Sequence, residues 1–188
     1  QHEHKKNIHT IEGPHLAALR KNLPFALTKT QQQSIDDILR DMASTRPMVR
    51  LLQGDVGCGK TIVALHAIAA AADGGYQTAI MAPTEILAEQ HAITLRDFLS
   101  PLGIVVAVLT GSTEGARSVR ERIASGAVHV AVGTHALIQG STQFHKLGLA
   151  IVDEQHRFGV MQRSTLAEKG LEPDILQMTA TPIPRTLA

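Results

Sequence analysis

Gly54-Asp55-Val56-Gly57-Cys58-Gly59-Lys60-Thr61 is the stretch on which the fold turns. It is a complete Walker A sequence, G-x-x-x-x-G-K-[ST], set between the apolar run Val49 to Leu52 and the Ala-rich run Thr61 to Ala72. The glycines permit backbone torsions that other residues resist, so successive N–H groups can wrap a phosphate. The helix that follows would turn its positive N-terminus on the same anion. Lys60 is expected to reach the β- and γ-phosphates, and the Thr61 hydroxyl to ligate magnesium. From average glycine and lysine usage, the pattern arises by accident in about one chain of this length in a hundred. The flanking strand and helix make accident rarer still. Gly54 to Thr61 are therefore expected to bind nucleotide. Cys58 reads as a small side chain at a variable loop position. The competing reading is a thiol activated by the helix N-terminus, which bound ATP would protect from alkylation.

Outward from this loop, apolar runs of strand length alternate with helical stretches. Thr78 to Ala82 precedes a helix from about Glu85 to Leu99, and Ile104 to Leu109 precedes a charged helix, Glu114 to Ser125. Val128 to Val132, Leu147 to Val152 and Ile175 to Met178 are further strands. Runs such as Leu149-Ala150-Ile151-Val152 do not alternate polar with apolar, so both faces are expected to be buried. That predicts an α/β domain with a mostly parallel sheet and helices on both faces. Residues 1 to 22 read as a polar linker, and 23 to 188 as the domain. The four histidines at 2, 4, 9 and 15 lack metal-type spacing with cysteine or a second histidine pair. His66, His129, His135 and His145 show no pairing pattern, and no chemistry is assigned to them.

A phosphate loop needs a carboxylate at the end of another strand. Asp153 and Glu154 follow Leu147 to Val152 and fall at the carboxyl end of a buried strand, where ligands of open α/β sheets sit. Asp153 is then the magnesium-side carboxylate, partly through water. Glu154 is the candidate general base for the attacking water.

Bulk numbers exclude little. At 188 residues the chain is long enough for one domain with a substantial core. Eighteen basic against 17 acidic residues, a net charge of +1, are silent about polyanions. One cysteine precludes an internal disulfide and fits a reducing compartment. The chain opens without a basic-then-apolar leader, and Ile62 to Ala72 is too short for the roughly 20 residues of a membrane span. A cytoplasmic, bacterial-type location is expected. Aromatic residues make up 3% of the chain and tryptophan is absent, which counts against a channel that stacks successive bases.

Asp153-Glu154-Gln155-His156 after a Walker A loop resembles the superfamily 2 helicases and translocases, and other segments follow in order. Leu23 to Gln31 resembles the segment whose glutamine reads the adenine edge; Gln31, Gln32 and Gln33 are adjacent, and motif alignment selects Gln31, with Phe25 beside the base. Ala82-Pro83-Thr84-Glu85-Ile86-Leu87-Ala88-Glu89-Gln90-His91 resembles motif Ia, and Leu109-Thr110-Gly111-Ser112 the next DNA-facing loop. Val132-Gly133-Thr134-His135-Ala136-Leu137-Ile138 resembles the third strand-contacting segment. Thr179-Ala180-Thr181-Pro182-Ile183-Pro184-Arg185-Thr186 resembles motif III, which couples hydrolysis to movement. The wording Gln53 to Gly57, then Asp153 to Val160, is similar to the RecG-like helicases. Cys58 departs from the family, which usually carries another small residue there.

The resemblance, covering Leu23 to Ala188, implies the first motor lobe of an ATP-dependent DNA helicase that remodels branched DNA. It implies a RecA-like P-loop domain, ATP and Mg2+ as cofactors, and catalytic roles for Lys60, Asp153, Glu154 and His156. DNA-facing roles fall on Pro83, Thr84, Gly111 and Thr134, with duplex or branched DNA gripped by its phosphate backbone. Coupling falls on Thr179, Ala180 and Thr181. Expected partners are a second motor lobe and a wedge domain of the same full-length chain, and no membrane. His156 and Arg157 are expected at the lobe interface, in a structural or a catalytic role. Thr84 suits a phosphate contact and equally a plain helix N-cap. Two other readings stand beside this one: the lobe of a transcription-repair coupling translocase, and a nucleotide-binding module without motor activity.

Overall fold

The computed structural model describes residues 9, 11–53, 58–138, 141–153 and 172–179. In chain order its elements are α1 (Pro14–Asn22), α2 (Lys29–Ala43), β1 (Val49–Gln53), α3 (Cys58–Asp73), β2 (Gln77–Met81) and α4 (Glu85–Leu99). There follow β3 (Val106–Leu109), α5 (Ala116–Ser125), β4 (Val130–Gly133), β5 (Leu147–Val152) and β6 (Asp174–Thr179). Among the described residues the strands form one six-stranded sheet, ordered β1-β6-β5-β2-β4-β3, in which every pair is parallel. The expected α/β fold is thus present, and the sheet is wholly rather than mostly parallel.

All carboxyl ends of a parallel sheet point to one edge, and both faces need cover. Every residue of β2, β4 and β5 is buried. Alternate residues feed two cores: Ile80, Val130, Val132, Leu149 and Ile151 pack with α1 to α4. Ala79, Met81, Ala131, Ala150 and Val152 pack on the opposite face with Ile123 of α5. Gly133 is needed where β4 passes β3, because a Cβ there would run into the Leu109 carbonyl oxygen.

α3 is the central helix of its face. Ile62 to Ala71 is buried on every side, as expected of a helix apolar all round. Its alanines let α1 and α2 approach closely. α2 begins with a full capping box: Thr28 Oγ1 accepts from Gln31 N at 3.1 Å, and Gln31 Oε1 accepts from Thr28 N at 3.0 Å. Its Ile35, Ile38, Leu39 and Met42 then recur at helical spacing and are buried.

Within the stretch expected to be a linker, Pro14–Asn22 forms α1, with Leu16 and Leu19 buried. Proline at the first helical position starts it, and Asp73 caps it from the end of α3. The Asp73 carboxylate accepts from His15 N at 2.7 Å, Leu16 N at 3.0 Å and His15 Nδ1 at 2.8 Å. Upstream, His9 is buried. Its N–H donates to the Met42 carbonyl at 3.1 Å. Its Nε2 bonds the Gly148 carbonyl at 3.0 Å and lies 3.3 Å from Asp174 Oδ2. Asp174 Oδ1 accepts from Met48 N at 2.8 Å. The amino edge of the sheet is further closed by buried Gln77, whose amide donates to the Ile123 and Val128 carbonyls at 2.8 Å each and accepts from Lys146 N at 2.9 Å.

His66 lies inside α3, with Nδ1 bonded to the Ile62 carbonyl at 2.7 Å and no partner for Nε2 among the described residues. Burial lowers its pKa from 6.5; the Ile62 carbonyl opposes this, and Arg20 adds to it. The unfolded chain therefore binds the extra proton first. The stability contributed by neutral His66 is complete above pH 6.5 and is lost as pH falls toward the folded-state value. His66→Leu should therefore flatten the loss of stability between about pH 7 and about pH 5.5. Urea midpoints at the two pH values measure this. The slope should not vanish, since burial also lowers the pKa of His129, with His15 adding to the effect. An unchanged slope would mean that His66 does not titrate in folding.

Candidate functional site

The carboxyl edge of the sheet carries the residues singled out above, because each follows the end of a strand. Lys60 and Thr61, both half-buried, lie in the first turns of α3, beyond the end of β1. Asp153 directly follows β5, and its N–H continues the ladder by donating to the Met81 carbonyl at 2.9 Å. In the sheet order only β6 separates β1 from β5. The backbone of Thr179, which opens the expected coupling motif, is paired with Gln53 just before the Walker A loop. One edge thus gathers the start of the helix, the carboxylate and the coupling strand. Gly54 to Gly57, Glu154, His156, Ala180 and Thr181 lie outside the described residues, and at Cys58 and Thr179 the description is of the backbone.

Gln31 comes close to this turn. A Cβ placed on Gly59 would lie 3.5 Å from its amide nitrogen. The amide oxygen already serves the α2 cap, so the nitrogen end faces the loop. Phe25 is 45% exposed. With Thr61, Ile62, Leu87, His91 and Phe98 it lines a cleft of about 320 Å³ between α3 and α4.

Asp153 has a neighbour that sequence reasoning missed. His91 Nε2, on α4, lies 2.7 Å from Asp153 Oδ2, with the two side chains 24% and 13% exposed. An ionised carboxylate can only accept, so the imidazole is the donor. Its signals in the sequence are the motif Ia resemblance, which ends at His91, and spacing: His91 stands seven residues after Thr84, two turns along one helix face.

The expected DNA-facing residues follow the ends of β2, β3 and β4. Thr84 is exposed and caps α4, its hydroxyl oxygen accepting from Leu87 N at 3.2 Å. The cap reading is thus realised, and the hydroxyl hydrogen is not used in it. Pro83 is half-buried and Gly111 is exposed. Thr134 is half-buried, and its carbonyl accepts from Leu137 N at 3.1 Å. Two of these loops are joined, since Ser112 Oγ donates to Glu85 Oε2 at 2.7 Å.

These groups suit a magnesium nucleotide. Lys60 and a helix N-terminus answer phosphate charge. The Thr61 hydroxyl and Asp153 carboxylate are hard oxygen donors, and magnesium is commonly held by one or two such groups plus phosphates rather than by a protein cage. Among the described residues no group of three or more His, Cys, Asp or Glu is gathered to hold a metal ion. No described helix is long and apolar enough to cross a membrane.

The family description "DEAD/DEAH box helicase" matches residues 28–188. The chain is 52% identical over 183 residues to the ATP-dependent DNA helicase RecG of Synechocystis sp., covering 96% of this chain and 22% of that protein. It is 56% identical over 175 residues to that of Streptococcus pneumoniae, covering 92% and 26%. The chain spans about a quarter of the length of these relatives. A solved structure of RecG bound to a three-way DNA junction superposes with a TM-score of 0.84 at 45% identity, covering 97% of this chain and 25% of that one. The helicase MrfA, at 17% identity and a TM-score of 0.66, shares the fold.

Proposed function

This chain belongs to the DEAD/DEAH box helicase family, and from that footing we propose that it is the ATP-binding motor lobe of an ATP-dependent DNA helicase acting on branched DNA. The observation that carries the reading is the meeting, on one sheet edge, of the Lys60–Thr61 helix start and the Asp153 carboxylate. Identity of 52% and 56% to proteins named as DNA helicases supports DNA as the track.

In this reading Lys60 binds the β- and γ-phosphates, while Thr61 and Asp153 hold Mg2+, which neutralises charge on the phosphates when bound. Gln31 presents its amide nitrogen to the adenine edge, beside Phe25. Glu154 takes the proton of the attacking water, and His156 links the site to the coupling segment Thr179 to Thr181. Pro83, Thr84, Gly111 and Thr134 face the phosphate backbone of DNA. A second motor lobe and a wedge domain complete the machine.

ATP hydrolysis by the full-length protein should rise on adding a three-way DNA junction, and Glu154→Gln should remove the turnover without removing nucleotide binding. General-base loss is worth roughly 10²–10⁴-fold in rate. Steady-state phosphate release measures both. Nucleotide binding with no response to DNA would instead support a module without motor activity.

A further inference from the structure

The sheet order draws a boundary. On one side of β5 lie β6 and β1, which lead to the coupling segment and the phosphate loop. On the other lie β2, β4 and β3, which lead to the expected DNA-facing loops. Asp153 directly follows the boundary strand, and α4 starts on the DNA side of it. Two contacts anchor α4 at functional places. At its first turn, Thr84 caps the helix, and Glu85 accepts from Ser112 of the loop after β3, 2.7 Å away. Two turns on, His91 donates to Asp153 at 2.7 Å. A helix is stiff over two turns, so a shift or rotation imposed at Thr84 and Glu85 is delivered to His91 and on to the carboxylate.

We propose that His91 is a positioning residue which ties the DNA-facing start of α4 to the magnesium-side carboxylate Asp153, so that nucleotide affinity and DNA contact at Thr84 and Ser112 are energetically coupled. The proposal rests on the reading of this chain as an ATP-binding DNA motor lobe. The imidazole fixes one orientation of the Asp153 carboxylate. Two ligands that bias the position of the same helix must bias each other, and by equal factors. The coupling strength is then set by whether His91 keeps its donor on Oδ2, and no proton need be gained or lost.

The test measures binding rather than turnover, in the full-length protein. The affinity of N-methylanthraniloyl-ADP is read by fluorescence with Mg2+, with and without a three-way junction oligonucleotide, and again in EDTA. Urea midpoints are taken on the same proteins. In the wild type, the junction should change Mg-nucleotide affinity by a factor within the usual range of about 5–150. His91→Ala should bring that factor to within about two of unity, with the EDTA affinity and urea midpoint unmoved. His91→Gln, whose amide nitrogen can reach the same oxygen, should restore most of it.

Full coupling in His91→Ala would overturn the proposal, as would a loss that His91→Gln fails to restore or that tracks a fall in the urea midpoint. A wild type that binds ADP and junction independently would overturn this inference alone. A wild type that binds no Mg-nucleotide would overturn the motor-lobe reading and this inference with it.

Discussion

Lys60→Ala is expected to weaken Mg-ADP binding by roughly ten- to hundred-fold. The ammonium sits in the first turn of α3, where the helix N-terminus already favours an anion, and its lost hydrogen bonds are to charged oxygens. Bonds of that kind are worth about 1.5–3 kcal/mol. At about 1.4 kcal/mol per decade, the loss is roughly ten- to hundred-fold from a single contact, and of the two phosphates assigned to Lys60 ADP offers the β-phosphate alone. Calorimetric titration of Mg-ADP into wild-type and variant protein measures it directly. The variant should unfold at the wild-type urea concentration, because Lys60 is only half-buried and packs no core. Equal affinities in the two proteins would remove Lys60 from the phosphate site.

Asp73→Ala should have the largest effect on stability. The carboxylate is 0% exposed and satisfies two backbone N–H groups at the start of α1 together with the His15 ring. An acidic group at the end of α3 opposes that helix's dipole, but the start of α1 lies against it and answers the charge. Removing the carboxylate strands two part-buried donors at about 1–3 kcal/mol each, so a loss of roughly 3 kcal/mol is expected. Asp73→Asn keeps one acceptor but turns an amide N–H toward a donor, so its loss should be intermediate. Urea unfolding at unchanged m-value reports both. A shift below about 0.5 kcal/mol for Asp73→Ala would show that α1 does not depend on this cap.

The fold was legible because its strongest signals are local. The strand–loop–helix about Lys60 and the unbroken apolar run of β5 are written in consecutive residues, and the observed strands lie within about two residues of those expected. α2 is equally readable, from Thr28 and Gln31 at capping-box spacing and Ile35, Ile38, Leu39 and Met42 behind them. α1 was harder. Two buried leucines in nine residues make a weak period, and the group that caps the helix, Asp73, is 57 or more residues away. Gly13 makes room for it, since a Cβ at Gly13 would collide with the Asp73 carboxyl. His91 closes the motif Ia resemblance, and its pairing with Asp153 is hidden for the same reason. Its partner is 62 residues downstream, and only the pairing of β2 with β5 brings the two together.

The anchoring of His9 has a mechanical consequence. Its ring holds the Gly148 carbonyl at one end of β5, and Asp153 follows the other end. Tension along the chain at His9 is divided between the backbone leading to α1 and the ring's hold on β5. The ladders to β2 and β6 then resist in shear, many bonds at once, rather than peeling one after another. β5 is in this sense a tie-rod, and a load applied at one edge of the lobe reaches the Asp153 edge with little stretch between.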